Sequence, residues 1–207
     1  MRQYLTAAFF AALTTFVVAI SLRAPDATLA IVAVAGITVL VTWMSVQHST
    51  EEDSGLVLAN PASAVALTLV GRSPSGNVLP LIAGHLVGAV LGGLGALGLD
   101  SWLGDTLTWP TPDPIATGVI VGVLGIVSTW LLFAIDAQIS EAYAALPPLL
   151  AGAALPLSLG SALNPAVVIG LATAGLLPWT VAGVAAIAGM LAAVAGAYTI
   201  SWISPSE

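Results

Sequence analysis

The sequence predicts an all-α membrane protein, with six transmembrane helices and two short Asn-Pro-Ala half-helices in an inverted repeat. Three observations carry that prediction. Of 207 residues, 58% are apolar and only 6% charged, where an ordinary soluble domain has about a quarter charged. The few charges bound long charge-free stretches. One five-residue pattern also occurs twice, half a chain apart.

The charge-free stretches are 3–22, 27–50, 54–71, 73–99, 114–135 and 142–206. A spanning helix needs roughly 20 apolar residues, because about 1.5 Å per residue must cross about 30 Å of hydrocarbon. Segments 3–22, 27–47, 78–99 and 114–135 each suit one span. The first has Arg2 in front and Ala-rich flanks like a signal peptide, but it has the length of a full span and no convincing cleavage site, so it is taken as the first helix. Stretch 54–71 is too short and is broken by Asn60-Pro61. The last stretch is too long for one helix. Its prolines, Pro147, Pro148, Pro156, Pro165 and Pro178, divide it into a span near 142–158, a short piece after Asn164, and a span near 179–203. Trp43, Trp102, Trp109, Trp179 and Trp202 fall at or beyond span ends, as an interfacial aromatic belt requires.

Composition excludes several functions. The chain has no cysteine, hence no disulfide framework and no thiolate chemistry. Its net charge is −7, with three arginines and no lysine, so a basic footprint for nucleic acid is absent. No cluster of His, Asp or Glu falls at membrane depth, which makes an enzyme hard to build. Six spans place both termini on one side. Arg2 and Arg72 then share that side against Arg23, which favours cytoplasmic termini in a cell-membrane protein.

Leu58-Ala59-Asn60-Pro61-Ala62 recurs as Ala162-Leu163-Asn164-Pro165-Ala166, 104 residues later. Each half, approximately 1–103 and 104–207, has three spans with the motif after the second. Three is odd, so the second half enters the membrane from the opposite side, a layout common in transport proteins. The whole chain reads as a single transmembrane channel domain. Asn is a strong helix N-cap, and Pro suits the first helical position. Each motif therefore starts a short helix, 61–70 and 165–174. Non-helical backbone at membrane depth persists only where protein buries it or it lines a wet cavity. The two helices would meet N-terminus to N-terminus, converging positive ends of roughly half an elementary charge each. The Asn60 and Asn164 amides add N–H donors, and Ala62 and Ala166 keep the junction compact. Such a path favours solute oxygens and repels cations. Read singly, Asn-Pro merely starts a loop helix; the paired spacing argues against that.

These paired motifs resemble those of the aquaporin and glycerol-facilitator family, and the resemblance covers essentially the whole chain. Ala35-Gly36 through Ser45-Val46-Gln47-His48 resembles the family's second helix, which ends in a histidine at the cytoplasmic mouth. Gly84, Gly88 and Gly92, with Gly183, Gly189 and Gly196, resemble its small residues at close helix crossings. The resemblance implies a homotetramer in membrane lipid, one pore per subunit, passing water and small neutral solutes of glycerol type. No metal or organic cofactor is implied.

Departures from the family pattern bear on selectivity. Where the family usually has Arg after the second motif, this chain has Val167. The other positions of the family's outer filter carry over to Ala35, Ser161 and, on an ungapped count, Gly152. The filter is therefore expected to be wide and apolar. The family's buried Glu residues in the first and fourth helices are missing. These changes also admit a second reading, a family scaffold turned to coupled transport or to a non-conducting role. His48 reads as an interfacial histidine or, functionally, as a gate or ligand at the mouth. His85 falls where the family commonly has Gln and could hydrogen-bond half-helix backbone. Glu51, Glu52 and Asp53 read as a solvated loop or as a divalent-cation site.

Overall fold

The computed structural model describes residues 2–23, 26–51, 53–99, 102, 109, 113–137, 145–158, 160 and 163–203. These form eight α-helices: α1 (Arg2–Ser21), α2 (Ala27–Val46), α3 (Pro61–Leu69), α4 (Val78–Gly98), α5 (Pro114–Asp136), α6 (Leu146–Ala154), α7 (Pro165–Thr173) and α8 (Trp179–Ile203). Among the described residues no strand is present. Five helices, α1, α2, α4, α5 and α8, are long and apolar enough to cross a membrane. The sixth expected span, 142–158, is a nine-residue helix, α6, among the described residues. Its first turn accommodates Pro147 because an N–H there has no helical partner, and Pro156 follows shortly after its end. At nine residues α6 is about 13 Å long, too short to cross alone.

Both short helices start and stop by the same chemistry. α3 begins at Pro61 after the Asn60 N-cap, and α7 begins at Pro165 after Asn164. Each ends at a glycine in the left-handed region, Gly71 (φ 77°) and Gly175 (φ 73°). Arg72 N–H donates to the Leu67 carbonyl at 2.8 Å and Leu176 N–H to the Leu171 carbonyl at 2.9 Å. These bonds close the last turn and satisfy carbonyls that the helix itself leaves open.

Glycine sets how closely the long helices approach. Gly84, Gly88 and Gly92 of α4 lie against the backbone of Tyr4, Ala8 and Ala12 of α1, in that order. The two helices are therefore parallel. Likewise Gly118 and Gly125 of α5 face Val184 and Ala192 of α8, and Gly196 of α8 faces Thr129. Gly93 and Gly170 bring α4 and α7 backbone to backbone. Small residues of this kind let membrane helices gain dispersion contact where no hydrophobic drive exists between them.

Polar contacts gather at one end of the bundle. Gln3 Nε2 donates to Asp53 Oδ2 (3.2 Å), Tyr4 Oη to Asn77 Oδ1 (3.2 Å), Ser54 N–H to the Arg72 carbonyl (2.9 Å), and Arg72 Nε to Asp136 Oδ2 (2.7 Å). This "Arg72 end" thus holds the starts of α1 and α4 and the ends of α3 and α5, so α5 runs opposite to α1. The pairings of the first four helices recur in the second four. α1 packs on α4 as α5 packs on α8; α7 packs on α4 and α1 as α3 packs on α8 and α5. α2 meets α6, and α3 meets α7, across the middle. Large apolar side chains such as Leu5, Phe9, Leu79, Leu91, Ile115 and Leu191 face outward, which suits a lipid surround.

Candidate functional site

Both motif asparagines spend their side-chain oxygen on the helix they start. Asn60 Oδ1 accepts from Ser63 N–H (2.9 Å), and the Ser63 hydroxyl oxygen accepts from Asn60 N–H (3.3 Å), completing a capping box. Asn164 Oδ1 accepts from Ala166 N–H (3.0 Å) and Val167 N–H (3.4 Å). Because backbone N–H groups can only donate, these bonds fix which amide atom is oxygen. The NH2 of each side chain remains to donate elsewhere.

The two asparagines line one cavity of about 70 Å3, which has room for several waters. Its wall runs along α5 from Val121 to Ile135, about 21 Å of helix. Among the described residues no charged side chain lines it. Hydroxyls of Thr38, Thr42, Ser63, Ser128 and Thr129 line the part toward the Arg72 end, with Ala62, Leu132 and Pro147. Thr14, Thr38 and Thr129 each donate to the carbonyl four residues back, at 2.8 Å. Their protons are thereby committed, and their oxygens are left to accept. Val18, Val34, Val121, Leu163 and Val167 line the other end. The ordering follows from helix position. Asn60 is one α3 length, about 13 Å, from the Arg72 end, whereas Val34, Val121 and Val18 are about 18, 22 and 24 Å from it along their helices.

The remaining site residues divide between this cavity and the packing around it. Pro61 and Pro165 are buried, and Pro165 lies under Gly189. Ala166 is fully buried in a cluster with Ala11 and Ala89, where its small size serves packing of α7 on α1 and α4. Ala35 and Gly152 are brought together, but in the α2–α6 contact. A methyl placed on Gly152 would lie 2.9 Å from the Ile31 carbonyl oxygen and 3.2 Å from Ala35 Cβ. Neither is among the residues that line the cavity; smallness at these positions lets the two helices meet. Ser161 lies outside the described residues, as does Glu52. His48 is exposed at the end of α2, with Nδ1 2.8 Å from the Met44 carbonyl and its ring edge-on to Phe10. It is not part of the cavity wall.

His85 is buried in α4, and its Nε2 is 3.1 Å from the Val57 carbonyl. A carbonyl partner requires the proton on Nε2. Val57 belongs to the turn Gly55–Leu58 that leads into Asn60, and the Ser63 hydroxyl donates to Leu56 of the same turn (2.8 Å). The approach to the first motif is therefore tied down from α4 and from α3. The cavity hydroxyls escaped the sequence reading because threonines scattered on three helices carry no spacing signal. Gly71 and Gly175 carried one: each stands 11 residues after its motif asparagine.

The chain matches no protein-family model, and no curated protein matches it either.

Proposed function

We propose that the protein is a passive transmembrane channel for water and small neutral solutes of glycerol type. In this reading it is a member of the aquaporin and glycerol-facilitator family, an inverted repeat of six spans and two half-helices. It acts as a homotetramer in the cell membrane with both termini cytoplasmic, at the Arg72 end. The observation that carries the reading is the pair of capping asparagines lining one cavity, with no charged side chain among its described lining residues.

The physics follows from those caps. With Oδ1 bound to backbone, each amide NH2 presents donors where two helix N-termini converge. A water or hydroxyl oxygen at that point accepts, and its own protons turn outward to the threonine oxygens. A cation meets converging positive ends and no carboxylate, so it gains nothing to replace its hydration. The outer filter is apolar at Val167 and lacks a fixed positive charge.

The test is stopped-flow light scattering on proteoliposomes under water and then glycerol gradients. Flux of both above that of empty liposomes supports the channel. No excess of either rejects it in favour of the second reading, a coupled transporter or non-conducting scaffold. The aliphatic end of the cavity, lined by Val18, Val34, Val121 and Val167, is what favours that second reading.

A further inference from the structure

We propose that Leu163 is the specificity-determining side chain of this path, selecting small uncharged solutes that carry apolar surface; the proposal rests on the channel reading. Leu163 is the only described non-glycine residue with positive φ, at 52°. A leucine in the left-handed region is strained, because Cβ crowds the following carbonyl. Strain of this kind persists only where the surroundings impose it, and it gathers at functional sites. The Asn-Pro helix start does not require it. Ala59, the matching residue before the first motif, has φ −72° and an ordinary right-handed backbone.

The location of the strain points to its role. Leu163 lines the cavity directly before Asn164, at the end lined by Val18, Val34, Val121 and Val167. The four valines stand on regular helices and are at most 2% exposed. Leu163 is half-buried and lies outside the helices, so it is the member of this aliphatic collar that no regular helix holds. In the proposed path a solute leaving the Asn60–Asn164 donors meets these aliphatic side chains, where hydroxyl-only solutes find no partner and a methyl group finds contact. An apolar ring also gates by dewetting.

The assay is proteoliposome flux of urea and N-methylurea, each corrected for empty liposomes. Wild-type protein is expected to favour N-methylurea by about fourfold, the ratio that burial of one methyl corresponds to. Leu163→Asn keeps a residue that tolerates the left-handed region and puts an amide in the collar; it should bring the ratio to about one. Leu163→Gly should raise both fluxes and melt no lower than Leu163→Ala, which keeps Cβ in the strained conformation. A conducting wild type whose ratio is unchanged in Leu163→Asn and whose fluxes are unchanged in Leu163→Gly overturns the role of Leu163 and leaves the channel standing. A wild type that conducts water but neither urea nor N-methylurea, with both fluxes still absent in Leu163→Gly, overturns the role of Leu163 as well. Absence of flux in wild type and all variants, each monodisperse in detergent, overturns both.

Discussion

Asn60 and Asn164 cap their helices with the amide oxygen and, in the proposed channel, donate to solute with the amide nitrogen; the two roles can be separated. Asp caps a helix about as well as Asn, so Asn60→Asp and Asn164→Asp should fold with their short helices intact. Each, however, replaces the free donor by a carboxylate in the cavity. The expected outcome is a cation current absent from wild type, read in planar bilayers under a potassium gradient; unchanged ion exclusion in both variants would detach the amides from the path. Val167 is a second separable residue. It lines the cavity and is 1% exposed. Val167→Arg adds a charge and donors at the collar and narrows it. Glycerol flux should fall several-fold more than water flux, provided the guanidinium reaches the cavity water, since an unsolvated charge here would be costly. Equal loss of both fluxes would place Val167 outside the selective step.

Glycine governs the helices one at a time, and its effects differ by position. At Gly88 a methyl would overlap the Ala8 carbonyl oxygen, a backbone atom that cannot move without separating α1 from α4. Gly88→Ala should therefore destabilise by about 1–3 kcal/mol, the usual result of overpacking. Gly36 in α2 has open space where its methyl would go. Gly36→Ala should be neutral or stabilising by about 0.5–1 kcal/mol, the helix propensity difference. Thermal unfolding of the two variants in detergent measures this contrast, and a Gly88→Ala protein as stable as Gly36→Ala would refute the close-approach argument. The same scale explains α6. Its nine residues follow from prolines near both ends, whereas α5, with proline only at its first position, runs 23 residues.

For the whole molecule, the inverted pairing of the helices makes a directional claim. The Arg72–Asp136 bridge, with the guanidinium half-exposed, contributes at most about 1 kcal/mol; its value is as a marker of which termini share an end. Hydrogen bonding and charge from Asp136 hold the Arg72 pKa above its ordinary value, so the arginine stays charged at any working pH. The chain has no cysteine, so single cysteines report sidedness without background. Gly76→Cys stands in the exposed turn before α4, at the Arg72 end, and Ala27→Cys stands at the start of α2, at the other end. In intact cells a membrane-impermeant maleimide should label Ala27→Cys, and should label Gly76→Cys only after permeabilisation. The reverse pattern would invert the proposed topology.

Much of this was legible in the residues alone, for a physical reason. Hydrocarbon forbids unpaired backbone and stray charge, so the charge-free stretches located α1, α2, α4, α5 and α8, and Asn-Pro located the starts of α3 and α7. Those are local constraints, written in composition and capping chemistry. Which side chains share a cavity is decided by how helices cross, and crossing depends on contacts between residues far apart in the chain. Tertiary structure therefore decided that Ala35 and Gly152 serve helix contact, that Ala166 is core, and that threonines of α1, α2 and α5 join the two asparagines. It alone placed Leu163 in the left-handed region, a conformation that the residue's own preference opposes and its sequence therefore does not announce.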